Sequence, residues 1–446
     1  MIRVSWVLVM CLFLVGSACS PITDIPISHW TPELDRRATQ QVAGDRSGEL
    51  LVMVAFSGGG TRSAAFAYGV LKELFHTQVT TEKGSRPLLH EVDMISSVSG
   101  GSFTSAYYGL YGKRIFEDFE ERFLRKNVQG ALLWRVISPV SWIRFFSPSY
   151  GRGDMAANYY SKHVFDGATF ADLERPGAPK VIINATDLPT GIRFPFVQGY
   201  FDLLCADLGQ YPLSRAVAAS SGVPVIFTPI TIESFAGSCK YEEPAWLGEA
   251  IKDETHTHRR AEARVLKDYL DPKKRPWLHL VDGGISDNLG LRSFFNYFSL
   301  VGDPHAAIAT IRHPDVRHIL IISVNAAVKP KSKWSSKRRS PSLGQVLGSI
   351  SGDQISRYSL DTIGIVEFSF EKWTKELSTP ERPVTFDFAQ VSIDVVKDDA
   401  ERAKLNTIGT SFDLSDEEVD RLIAAARKVL RESPEFLAFL KRTQGN

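Results

Sequence analysis

Residues 50–56 form an uninterrupted apolar run that gives way at once to Ser57, Gly58, Gly59 and Gly60. From Thr61 onward, apolar or small residues recur at helical spacing (Ala65, Tyr68, Leu71, Leu74). Such a run reads as a strand buried on both faces, and strand, glycine turn and helix in succession open an α/β unit. The same order recurs downstream. Residues 92–97 read as a short strand, with a tight turn and a helix from about 102 to 110 behind it. Residues 180–185 and 318–324 read as further buried strands, and residues 211–221 as a helix that stops before Pro224. Strands alternating with helices predict an α/β fold with a mostly parallel sheet. Near the C-terminus, Ser415 and Glu418 make a capping box, and Val419, Leu422, Ile423, Ala426, Val429 and Leu430 form one apolar stripe that predicts core packing.

With 446 residues, 43% of them hydrophobic, the chain has the material for a large core. A formal net charge of +1 gives no basis for bulk nucleic-acid binding. Arg3, the apolar stretch 6–15 and the small residues Gly16, Ser17 and Ala18 read as an export signal over residues 1–18, too short to span a bilayer. Cys19 follows, as in bacterial lipoproteins whose cysteine is lipidated after cleavage, although Gly16 stands where such signals carry Leu. An ordinary signal peptidase would accept the same residues. Residues 19–48 then serve as a tether and N-terminal segment, and the expected location is outside the cytoplasm, anchored to a membrane. Of the remaining cysteines, Cys205 and Cys239 are either bridged or two small buried thiols.

Three stretches carry the chemistry. Ser57 to Thr61 places three glycines before a helix N-terminus, a site for a phosphate or an oxyanion. No Gly-Lys-Ser/Thr ends the loop, and Ser63 replaces the last glycine of a dinucleotide fingerprint. The second stretch is Ser97, Val98, Ser99, Gly100, Gly101. Small residues two before and two after Ser99 permit the strained turn of a nucleophile elbow, with Ser97 where glycine is usual; the bland reading is a Ser/Gly loop capping a helix. The third is Asp282 with Gly283 and Gly284 after an apolar run, either a reactive carboxylate or a turn aspartate bonding its own backbone. Asp287 reads as the N-cap of the next helix.

Together, and in this chain order, the three stretches resemble the patatin-like phospholipases, which use a Gly-rich oxyanion loop, a G-x-S-x-G serine and a D-G-G or D-G-A aspartate. Asn184, Ala185, Thr186 and Asp187, and residues 216–224, are also similar to that family, over about residues 50–288. The resemblance implies a three-layer sandwich with a mostly parallel central sheet flanked by helices. It implies a catalytic core over 49–300, with 301–446 continuing the same domain. It further implies a lipid acyl hydrolase in which Ser99 attacks an ester and Asp282 takes the proton directly. Gly59 and Gly60 would hold the oxyanion with Gly58 shaping the turn, and Arg62 would brace the loop. No metal or cofactor is implied. A carboxylate near its ordinary pKa of ~3.9 is a poor base for an alcohol, so the resemblance also predicts an apolar setting that raises it.

Alternatives compete. An α/β-hydrolase triad would draw its base from His305, His313 or His318. A non-catalytic lipid-binding lipoprotein on a hydrolase fold is the other. Leu132, Leu133, Trp134, Val136, Trp142, Ile143, Phe145 and Phe146, interrupted by Arg135 and Arg144, read as core helix, or else as a lid or interfacial surface. Residues 241–274, with His256 and His258, read as a charged, solvated loop, since no third metal ligand lies nearby. The basic run 329–339 around Trp334 reads as a surface loop, or a contact for anionic headgroups.

Overall fold

The computed structural model describes residues 45–138, 150–311, 313, 315–328 and 343–443. The expected signal, Cys19 and most of the tether lie outside the described residues. So do Trp142, Ile143, Arg144, Phe145 and Phe146, and the basic run with Trp334.

The strands in chain order are β1 (Leu50–Phe56), β2 (Gln78–Thr81), β3 (Gly84–Pro87), β4 (Val92–Val98), β5 (Lys180–Asp187), β6 (Arg193–Pro195), β7 (Ile230–Glu233), β8 (Trp277–Asp282), β9 (His318–Asn325) and β10 (Thr385–Ser392). All but the β2–β3 hairpin join one sheet, in the order β10-β9-β1-β4-β5-β8-β7 with β6 beside β5. Strands β10, β9, β1, β4 and β5 are mutually parallel; β8 runs antiparallel to β5. The fold is therefore α/β with a mostly parallel central sheet. β1 is buried along its length and β9 as far as Val324, which fits the apolar run of β1 and the largely apolar one of β9. β4 is equally buried despite Asp93, Ser96 and Ser97. Each is paired: Asp93 accepts the Val52 N–H at 2.8 Å, Ser96 Oγ donates to Gly290 O at 2.6 Å, and Ser97 Oγ meets Ser105 Oγ at 2.6 Å.

Alternation along β1 divides the core between the two faces of the sheet. Leu50, Val52, Val54 and Phe56 pack with α1 (Gly60–His76) and α2 (Gly100–Tyr111). Leu51, Met53 and Ala55 share the other apolar cluster with Phe294, Phe298, Val366 and Phe370. Between these layers' helices come α3 (Val128–Ile137), α4 (Arg152–His163), α5 (Leu213–Ser220), α6 (Ala245–Lys252) and α7 (Thr257–Tyr269). Then follow α8 (Arg292–Val301), α9 (Pro304–Thr310) and α10 (Leu343–Leu377), and finally α11 (Asp399–Leu405), α12 (Asp416–Arg431) and α13 (Pro434–Thr443). The capping box opens α12 as expected, and its apolar stripe is buried, with Ile423 and Ala426 set against Gly69 of α1. Glu73 of α1 bonds Arg427 at 3.0 Å and Arg431 at 2.7 Å, fixing α12 along α1.

Several expectations need correction. Residues 241–274 are not a loop but hold α6 and α7, whose Leu247, Ala250, Ala263, Leu266 and Tyr269 are buried. The surface charge of this stretch masks a helical stripe that its Ala, Glu, Arg and Leu favour. His256 bonds Asp253 and His258 bonds Arg292, so the two share no ligand. In α3, Leu132 is buried, but Leu133, Trp134 and Ile137 are exposed, so the described half of that stretch is not a core helix. The cysteine alternative resolves as a disulfide between Cys205 and Cys239, with Cα atoms 5.6 Å apart.

Candidate active site

In parallel sheets, loops at the carboxyl ends of strands gather binding groups. Here β1 ends at Phe56, β4 at Val98 and β9 at Asn325, while β8 arrives from the opposite direction and sets Asp282 against Ala185 of β5. Ser99 follows β4 directly and is the N-cap of α2, with φ 50° and ψ −119°. A serine in that conformation costs about 1–3 kcal/mol and persists only where its surroundings hold it. Ser99 N–H donates to Ser220 Oγ at 2.8 Å, and Ser220 Oγ donates to Asn184 O at 2.6 Å. Gly100 and Gly101 have to be glycine for a steric reason. A Cβ on Gly100 would lie 1.9 Å from Gly60 O, and one on Gly101 2.7 Å from Phe56 Cβ. Ser97, by contrast, fits its glycine position because Ser105 satisfies its hydroxyl.

The glycine loop lies beside Ser99, since a Cβ on Gly58 would reach Ser99 Cβ at 3.3 Å. Ser57 N–H donates to Val324 O at 3.0 Å, Gly58 N–H to Asn288 O at 2.9 Å and Thr61 N–H to Ser411 O at 2.9 Å. Among the described residues, the amides of Gly59 and Gly60 have no such partner. These are the first donors of α1, with Gly59 at φ 141° and Gly60 at φ 63°, values that exclude most side chains. Buried Arg62 donates from Nε to Ala326 O at 2.7 Å and from Nη1 to Ile408 O at 2.8 Å, tying the start of α1 to two distant segments. Burial lowers its pKa to about 10. Ser63, in place of a glycine, donates to Ser57 O and closes the loop on itself.

Asp282 is buried and fixed through its backbone: its N–H donates to Gly222 O at 3.0 Å, and Gly283 N–H to Ser220 O at 3.1 Å. A Cβ on Gly283 would lie 2.3 Å from Asn184 O, which accounts for the first glycine after the aspartate. The carboxylate accepts the Gly284 N–H at 2.8 Å, and the Ser99 side chain lies close enough to favour its charged form. Burial raises the Asp282 pKa to about 6, against the downward pull of those two neighbours. The structure thus sets a serine beside a buried carboxyl group whose proton affinity lies near neutrality, next to two amides that have no partner among the described residues.

Asp287 ends a short helix, Gly284–Asp287, and its Oδ2 accepts the first N–H of α8, from Arg292, at 2.8 Å. It caps that helix from five residues upstream and is not itself the N-cap, which is Leu291. The three triad histidines serve elsewhere. His318 opposes Leu50 at the far end of β1, about 20 Å of strand from Phe56, and bonds Thr385. His313 bonds Asp93 at 3.0 Å, and His305 is exposed on α9. None of them bonds Ser99 or Asp282, which removes the support for a triad. Sequence reasoning assigned no role to Ser220, Asn184, Asn288, Ile408 or Ser411. Only the first two fall in stretches it had singled out.

The family model described as "Patatin-like phospholipase" matches residues 54–295, more than half of the chain. No curated protein sequence matches significantly. Among solved structures, the chain is similar to human GIVD cytosolic phospholipase A2, with 13% identity over 93% of this chain and 67% of that one and a TM-score of 0.49. It is also similar to that enzyme in complex with methyl gamma-linolenyl fluorophosphonate, with 14% identity over 97% and 63% and a TM-score of 0.43. The chain spans about two thirds of the length of these relatives.

Proposed function

The chain belongs to the patatin-like phospholipase family, and from that premise we propose that it hydrolyses ester bonds of lipids, in the manner of a phospholipase A or lysophospholipase, with Ser99 as nucleophile and Asp282 as general base. The observation that carries this reading is a buried carboxyl group, raised to a pKa of about 6, with the Ser99 side chain close enough to pull that value down. In the proposed reaction Ser99 Oγ attacks the ester carbonyl as its proton passes to Asp282. The amides of Gly59 and Gly60 receive the developing oxyanion, each such donor lowering the barrier by ~2.7–4 kcal/mol in comparable sites. Collapse expels the alcohol, which takes the proton back from Asp282. Water, deprotonated by the same carboxylate, then cleaves the acyl-enzyme, releasing the fatty acid and restoring Ser99. Gly58 shapes the turn with its own N–H engaged, and Arg62 braces the loop.

The pH profile tests the base. Asp282 accepts a proton only when ionised, so kcat/KM on a soluble short-chain ester is expected to rise with pH through an apparent pKa of about 6 and level off above it. A profile with no inflection between about pH 5 and 7 counts against Asp282 as the base. A panel of short-chain esters, long-chain esters and phospholipid vesicles names the substrate class.

Ser220 is the second test. Ser220→Ala leaves the buried Ser99 N–H without its acceptor, at ~1–3 kcal/mol. We expect kcat to fall ~tenfold or more with KM little changed, because the nucleophile is less well held while the binding surface is intact. An unchanged kcat would show that the elbow keeps its strained geometry without this bond.

Exported location and a lipid anchor at Cys19 are part of the same proposal. The Cys205–Cys239 bridge supports export, since disulfides persist mainly in oxidising compartments.

A further inference from the structure

Immediately after Gly222, whose carbonyl holds the Asp282 amide, the chain runs Val223, Pro224, Val225, Ile226, and all four residues are exposed. Val225 is 89% exposed and Ile226 59%. Four consecutive apolar residues in water are unfavourable unless something covers them. This turn is also built. Phe227 N–H donates to Val223 O at 3.0 Å and closes it, and Gly153 N–H donates to Thr228 Oγ1 at 3.0 Å, pinning its far side. Val225 has φ 75°, rare for a β-branched residue, so the surroundings impose the conformation. Arg152, at the start of α4, donates from Nη2 to Val225 O at 3.0 Å. No carboxylate pairs with Arg152 among the described residues. On the other side of Asp282, Ile285 is exposed as well.

An apolar tip above an uncompensated guanidinium matches the layers of a phospholipid surface, acyl chains inward and phosphates at the depth of the cation. We propose that the 223–226 turn enters a lipid surface and carries the candidate active site onto it, with Arg152 meeting the phosphates. The occupant follows from the proposed lipid hydrolysis, on which this inference rests. A turn tied to Asp282 through Gly222 would hold the dyad at a fixed height above the layer that supplies the ester.

The test uses the full chain with Ser99→Ala, so that vesicles stay intact, and Cys19→Ser, so that no acyl anchor contributes. In sedimentation with phosphatidylcholine–phosphatidylglycerol vesicles, adding Val225→Asp and Ile226→Asp is expected to weaken association at least ~tenfold. In the Ser99-containing chain, the same pair should leave turnover of a soluble short-chain ester within ~twofold, because both side chains point to solvent. Equal vesicle binding with and without the pair overturns the inference. Parallel loss of soluble-ester turnover overturns it too, since the turn would then serve the geometry of the dyad. Wild type that cleaves no ester while the binding difference persists removes the hydrolase reading and leaves the docking surface in place.

Discussion

Ser99→Ala is expected to lose at least ~10⁴-fold in kcat on any ester the protein turns over, with Asp282→Asn falling nearly as far. The double variant should be little slower than either single one, because a nucleophile and its base act as one unit. The structure gives the reason for the coupling. The Ser99 side chain acts on the Asp282 carboxyl, and His313 and His318 bond other partners, so on the proposed mechanism Asp282 is the group that takes its proton. Neither change should unfold the chain. Ser99 contributes its backbone to the elbow, and Asp282→Asn retains an oxygen able to accept the Gly284 N–H. Kinetics with a fluorophosphonate label and a thermal melt give the measurement. Loss of labelling in Ser99→Ala at unchanged Tm agrees with the mechanism. Full activity in Asp282→Asn would require another base.

Gly100→Ala is expected to be the most damaging small substitution in the site. Its Cβ would fall 1.9 Å from Gly60 O and 2.7 Å from Gly60 N, so the clash is with backbone that carries one of the free amides. Either α2 withdraws or the glycine loop does, and both movements separate Ser99 from the Gly59 and Gly60 amides proposed to hold the oxyanion. Packed backbone does not yield as the end of a flexible side chain does, so we expect a loss of ~3 kcal/mol or more in stability, with activity abolished in whatever remains folded. Denaturant titration together with ester turnover checks both halves. A stable, active Gly100→Ala would mean that loop and helix N-terminus are further apart in solution.

How much of this was legible in the sequence depended on how local each signal was. Residues 50–56 and 318–324 announced buried strands because parallel strands covered on both faces have no polar face to confuse the pattern. The positions of Ser99, Asp282 and the three glycines were legible because each sits in a short turn whose small residues the geometry demands. β10 escaped notice because its half-buried pattern, with Asp387 and Gln390 among aromatic residues, dilutes the apolar signal. α7 escaped because exposed charges outnumber its buried stripe. The loop's supports were illegible for another reason. Ser411 and Ile408 act through backbone carbonyls, and a carbonyl leaves no trace in residue type. Ser220 lay in a stretch already noted, but nothing local tells an N–H acceptor from a helix-end serine.

The order of those supports along the chain gives the site a timetable. Ser99 and Asp282 are synthesised well before Val324, Ala326, Ile408 and Ser411, whose carbonyls hold Ser57, Arg62 and Thr61 in place. A nascent polypeptide that has reached only α9 carries both reactive groups, but it lacks β9 beside β1 and every one of these four anchors. Of the glycine loop's anchors it has only the Asn288 carbonyl that holds the Gly58 N–H. On the proposed mechanism, the aiming of the oxyanion donors therefore waits for the last stretch of the chain to be made.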